Sequence, residues 1–255
     1  MEEQQHQEAQ EDPGQKRPRD AAFWAQRVDK LQLSGVPEGA LNLNVEGRRL
    51  TGPLQGFGQM WQKTYRVPLR GAPVSPAEVI KAWKENYAVF WPPGNRFYAP
   101  LTGIAPGEVG LITAAQGPMR LSTGVMVLYA DEKSFTFMTP QGHPFAGWVT
   151  FSAHQEEGNT VAQVQLLIRP SDPVYETAFH MGASRAEDKI WQHTLHSLAA
   201  YFNVEGEVET QVVCVDRKRQ WSEAKNVWQN AGARTMAYTV AAPFRAIAKP
   251  FKRKI

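Results

Sequence analysis

Apolar and polar residues alternate with a period of two through 134–170, SFTFMTPQGHPFAGWVTFSAHQEEGNTVAQVQLLIRP, and the alternation breaks twice. A period of two is the signature of a strand, so three consecutive antiparallel strands are predicted. Phe135, Phe137 and Met138 carry the first. Pro140-Gln141-Gly142-His143-Pro144 ends it, because proline removes a ladder donor and glycine tolerates positive φ. In the second strand Phe145, Gly147, Val149, Phe151 and Ala153 share one face, and Ala146, Trp148, Thr150, Ser152 and His154 the other. Gln155-Glu156-Glu157-Gly158-Asn159 is a polar hairpin loop. The return strand sets Ala162, Val164, Leu166 and Ile168 against Val161, Gln163, Gln165, Leu167 and Arg169. One face of this sheet is firmly apolar and the other mixed, and parity alone does not say which face is concave.

The flanking segments read as parts that fold onto this sheet. A strand is predicted over 59–69, and a helix follows from Ser75-Pro76-Ala77-Glu78, a capping box with proline in the first turn. That helix carries Val79, Trp83, Tyr87 and Phe90 until Trp91-Pro92-Pro93-Gly94 stops it. Further strands are predicted over 109–115, 120–130 and 205–216. Short helices are predicted over 21–33, 174–181 and 220–231. The strongest helix spans 186–202, with Ile190, Trp191, Thr194, Leu195, Leu198 and Phe202 in one stripe. Ser184 is its expected N-cap, with Glu187 at the third position.

Residues 1–20 lack any aromatic or branched aliphatic side chain and are expected to be disordered. Residues 21–58 read as a short helix and an irregular linker, 59–216 as the folded domain, and 217–255 as a basic extension. That extension holds ten Lys/Arg and one acid, Glu223, which leaves a mildly acidic body in a chain of net charge +3. So small a net charge gives no case for nucleic acid as a partner. Cys214 is the single cysteine, which excludes an intrachain disulfide and a multi-cysteine metal cluster, and its Val-Val-Cys-Val setting predicts a buried small hydrophobe. No apolar run is long enough to span a membrane and the N-terminus does not read as a signal peptide, so a cytoplasmic protein is expected.

Strand, helix, antiparallel strands and a final long helix resemble the START-like (SRPBCC) helix-grip superfamily. Within it, 79–171 resembles a bacterial and plant family known only as a domain of unknown function. The resemblance is carried by 127–129, Phe135-Thr136-Phe137, Gly142-His143-Pro144, Gly147, Phe151 and Ile168-Arg169-Pro170-Ser171. The family has acidic residues after its Gly-His-Pro and after the next glycine, where this chain has Phe145 and Trp148. The resemblance implies an α+β fold, a curved antiparallel sheet gripping a long C-terminal α-helix, around a cavity for apolar ligands.

The expected function is therefore the binding of a small apolar or amphipathic molecule between sheet and helix, with Trp148, Phe151, Arg169, Trp191, Leu195 and Tyr201 as the candidate lining. The alternative is a cyclase- or hydrolase-type enzyme using the same cavity. Its acid/base candidates are His143, at the turn, and the i, i+4 pair Glu176 and His180. A turn histidine that only ties down its own backbone is the plainer reading of His143. An HExxH, a phosphate-binding glycine loop and a Gly-x-Ser-x-Gly elbow are all absent, so neither a metal nor a cofactor is expected. A third reading is an interaction module whose tail, 244–255, contacts an anionic membrane surface or a partner. Its Phe244, Ile247, Phe251 and Ile255 interleave with five Lys/Arg, while prolines 243 and 250 break any helix.

Overall fold

The computed structural model describes residues 21–116 and 119–242. The tail expected to be disordered and the basic segment 244–255, with its expected membrane contact, lie outside the described residues. Among the described residues the strands are β1 (Leu50–Thr51), β2 (Met60–Pro68), β3 (Asn95–Tyr98), β4 (Val109–Gln116), β5 (Met119–Ala130), β6 (Ser134–Pro140), β7 (Phe145–Glu156), β8 (Asn159–Pro170) and β9 (Glu209–Asp216). The helices are α1 (Pro76–Asn86), α2 (Pro173–Ala178), α3 (Ser184–Tyr201) and α4 (Ala231–Val240).

The strands form one antiparallel sheet in the order β3-β4-β5-β6-β7-β8-β2-β9, with β1 paired to β6. Alternation decides its two faces. Phe137 pairs with Val149, Phe151 with Val164 and Val149 with Leu166, and all of these enter one core with Val79, Ile80 and Trp83 of α1 and Leu195, Leu198 and Ala199 of α3. The apolar face is thus the inner one, and both helices lie on it. The fold is α+β, a large antiparallel sheet holding a long helix in the helix-grip manner. The helix does not end the chain, however, since β9 returns beside β2 at the sheet edge.

Aromatic rings fill the centre. Phe135 and Phe151 stack with centroids 4.6 Å apart, and Tyr87 meets Phe97, Phe137 and Phe151 edge-on at 4.7, 5.2 and 5.3 Å. Such pairs add to simple area burial because ring edges and faces carry opposite partial charge. α1 starts as its sequence requires: Ser75 caps Glu78 and the Glu78 carboxylate returns to the Ser75 N–H.

Three expectations fail locally. No helix forms over 21–33; a three-residue 3-10 turn, Ala21–Phe23, leads into extended chain, and Trp24 bridges to Tyr129. The irregular segment 21–58 carries Leu31 and Val45 into a second small core with Leu111 and Met126. Cys214 lies half-buried on an edge strand whose Val212, Val213 and Val215 are exposed. Finally, Ser184 does not cap α3. The chain passes from α2 through a π-helical turn, Phe179–Ala183, kinked at Gly182, where φ is 122°; a positive φ is open to glycine without steric cost.

Candidate functional site

The sheet's inner face and the first half of α3 enclose a cavity of about 440 Å³, in the range that holds a drug-sized molecule. Its floor is apolar strand surface, Phe97, Ile112, Val125, Phe137, Val149 and Leu166. Trp91 walls it after α1, and Glu187, Ile190 and Trp191 of α3 form its roof. Val174 of α2 and Met236 of α4 both line the cavity and are exposed, so it reaches the surface between these two helices.

The C-terminal segment, expected as a basic extension with a short helix over 220–231, builds one end of the site. The 3-10 helix Trp221–Gln229 and α4 supply Val227, Asn230, Ala233 and Met236. Backbone and side chains tie them down. Ala231 N–H donates to Gly142 O (2.9 Å), Gly232 N–H to the Tyr175 hydroxyl (2.9 Å), and Asn230 Nδ2 to Asp172 Oδ2 (2.7 Å). Gly142 has φ of 90° and a Cβ there would fall 2.1 Å from Gln229 O, so only glycine lets the segment approach this turn. Asn230 also accepts from Ala233 N–H as the cap of α4. Asn followed by Ala-Gly-Ala was the sequence signal for this helix, masked by the glycine and by the prolines beyond it.

Of the candidates named from sequence, His143, Trp148 and Trp191 border the cavity. Trp191 belongs to the roof, with its ring 5.8 Å from Phe151. Trp148 pairs with Met138 and Leu167 on the opposite face from Val149, and its ring packs toward Gly52; it borders the cavity from the outer side of β7. Phe151 and Leu195 are fully buried in the core beneath the lining. Tyr201 is half-exposed at the far end of α3, against Phe90.

Arg169 lies on the outer face and is buried there. Its Nη1 donates to Gly58 O (2.6 Å) and Lys218 O (2.7 Å), and Nη2 pairs with Asp216. It ties the chain ends of β2 and β9 together, while the neighbouring Asp172 instead caps α2 through Val174 and Tyr175 N–H. The Glu176–His180 pair does meet, at 3.3 Å, but Glu176 also accepts from Arg219 Nε (2.8 Å) and Gln59 N–H (3.3 Å). Both residues lie outside the lining.

His143 is held at its turn. Its Nδ1 lies 3.1 Å from Phe145 N and 3.0 Å from Phe145 O, so the ring is tied to the backbone of its own turn. Burial lowers its pKa to about 4, against a smaller upward pull from the Phe145 carbonyl 3.0 Å from the same nitrogen. The folded chain therefore refuses a proton that the unfolded chain accepts from about pH 6.5 downward. Stability from this group is full above that pH and is lost as pH falls toward 4, by up to about 3 kcal/mol. Urea unfolding at pH 7 and pH 5 should show this loss in the wild type and a shallower one in His143→Gln; parallel slopes would refute it.

The residue that sequence reading passed over is Lys63. It shares the inner face of β2 with Trp61 and Tyr65 and is fully buried. Its Nζ donates to Asp188 Oδ1 (2.7 Å), Glu187 Oε2 (2.9 Å) and Ser184 Oγ (2.9 Å) and lies 5.0 Å from the centre of the Phe179 ring. Tyr65 OH donates to Asp188 Oδ1 at 2.6 Å. Burial, then the Glu187 and Asp188 charges, push the Tyr65 phenol pKa far up. Burial also raises Glu187, against the opposing pull of Lys63. The sequence signal was a lysine on the apolar parity of a strand, since a charge there requires buried partners.

Among the described residues the Thr123 hydroxyl of the lining finds no hydrogen-bond partner, while the indole N–H groups of Trp91 and Trp191 lie beside Tyr87 and Glu187. Among the described residues no three His, Cys, Asp or Glu side chains gather as a metal group, and no helix is long and apolar enough to cross a membrane.

No family model matches the chain, and no curated protein matches it. Solved structures that resemble it include Ara h 8.0201, at 16% identity over 56% of this chain and 98% of that one, TM-score 0.39. The protein XoxI from Bacillus cereus is 16% identical over 56% of this chain and 95% of its own, TM-score 0.40. The di-domain ARO/CYC StfQ from the steffimycin biosynthetic pathway is 8% identical over 56% of this chain and 50% of its own, TM-score 0.39. Scores this low carry no argument about ligand or activity, and the fold assignment rests on strand order and helix placement.

Proposed function

We propose that the chain binds a small apolar or amphipathic molecule in the cavity under α3. The single observation behind this reading is the cavity itself: about 440 Å³ of mostly apolar wall with the buried Thr123 hydroxyl left unpaired on it. An unpaired buried donor costs about 1–3 kcal/mol, a cost that a ligand oxygen or nitrogen would remove. Apolar burial supplies the affinity and the few polar groups supply orientation. A cytoplasmic setting is part of the same proposal.

The enzymatic alternative requires two titratable groups converging in the cavity. Its sequence candidates do not converge there: Glu176 and His180 meet each other outside the lining, and His143 spends Nδ1 on its own turn. Binding is therefore the favoured reading.

Ala114 gives a direct test, because it lines the cavity with a small side chain. Ala114→Trp fills the space from the sheet side. We expect the neutral dye N-phenylnaphthylamine to bind the wild type and to lose at least about tenfold in affinity to this variant. Equal affinity in a variant of unchanged fold would place the dye elsewhere and sink the reading. Mass spectrometry of natively purified, then denatured, protein would identify a retained ligand.

A further inference from the structure

We propose that the cavity selects an apolar molecule carrying a protonated amine, seated against Glu187. The proposal rests on the ligand-binding reading above and narrows it to a chemical class.

Charge balance carries the argument. The fully buried Lys63 meets two carboxylates, Glu187 and Asp188. Tyr65, the remaining polar partner of Asp188, is neutral, since its phenol holds its proton. One cation against two carboxylates leaves one negative charge over. Asp188 is a quarter exposed and already accepts from Lys63 and Tyr65 through one oxygen. Glu187 is the carboxyl that lines the cavity, and its side chain is only 8% exposed. A carboxylate so placed either takes up a proton or meets a second cation. Burial raises its pKa, and the Asp188 charge adds to this against the opposing pull of Lys63.

The surroundings fit a cation carried on an apolar body. Trp91, Trp191, Tyr87 and Phe97 all line the same cavity, and aromatic faces attract organic ammonium groups. Thr123 is an independent sign of a ligand: it is 1% exposed, it lines the cavity, and its hydroxyl has no partner. A hydroxyl or carbonyl elsewhere on the amine would meet it. The other charged or titratable groups of the lining do not supply the missing charge to Glu187. Arg120 is exposed at the start of β5, and His143 stays neutral at physiological pH.

A matched pair of probes tests the inference: naphthylethylamine, protonated at neutral pH, and naphthylethanol, its neutral counterpart. Titration calorimetry on the full chain should show the amine binding about ten- to a hundredfold more tightly than the alcohol, as a charge-assisted hydrogen bond in a buried site implies. In Glu187→Gln the preference for the amine over the alcohol should vanish. The proposal fails if the alcohol matches the amine in the wild type, or if the preference survives in Glu187→Gln. In either case the alcohol still binds and the ligand-binding reading stands. If neither probe binds, both readings fall together. If Glu187→Gln does not fold, the wild-type ratio alone decides.

Discussion

Lys63→Met should lower unfolding stability by about 3–5 kcal/mol, the cost of removing one partner from a buried ion network. The sheet and the long helix meet through this lysine. Its Nζ reaches Ser184, Glu187 and Asp188, all in the first turns of α3 just after the Gly182 kink. Methionine matches the stem of the lysine but leaves Glu187 buried without a cation. Glu187 would then take up a proton, while Asp188 keeps Tyr65 and some solvent. Adding Glu187→Gln should recover part of the loss, since neutralising the second charge removes most of the desolvation cost. Urea unfolding is the measurement, with a lowered midpoint at unchanged slope as the expected result. A loss below about 1 kcal/mol would mean that the network does not lock the helix to the sheet.

The pattern that predicted the sheet was legible because strand parity is a short-range signal. Phe135, Phe137, Val149, Phe151, Val164 and Leu166 alternate in sequence and share a face in space, with no long-range information required. The stripe of α3 is legible for the same reason at the helical period. Which sheet face is the inner one is a tertiary fact, and a choice of lining drawn from both faces was bound to place some residues outside. Arg169 shows the difficulty. Its buried charge has partners at Gly58, Asp216 and Lys218, all far away in sequence, so nothing near residue 169 identified them. The same distance hides the end of the cavity built by Val227, Asn230 and Met236. These residues reach the site because Gly142 admits a passing backbone. Lys63 was different: its parity was readable, and a lysine on a face that must be buried predicts carboxylates opposite it.

Phe151→Ala should cost about 3–5 kcal/mol and act on stability before it acts on binding. Phe151 was a sequence candidate for touching ligand, yet it lies beneath the lining, fully buried among Phe135, Trp83, Tyr87, Phe137 and Trp191 at centroid distances of 4.6 to 5.8 Å. Truncation removes its transfer free energy and also strands these rings around a hole, because they are anchored on α1, β6 and α3 and do not collapse together. The stacked Phe135 loses most, since its nearest face-on partner disappears. Dye binding separates the two roles. If Phe151 is core alone, the surviving folded fraction of Phe151→Ala binds N-phenylnaphthylamine about as tightly as the wild type, and the midpoint of unfolding carries the whole effect. A large loss of dye affinity with little loss of stability would return Phe151 to the cavity wall. The physical reason to expect the first outcome is the position of Trp191: it lies between Phe151 and α3 and itself lines the cavity, so it shields the ring below from any ligand.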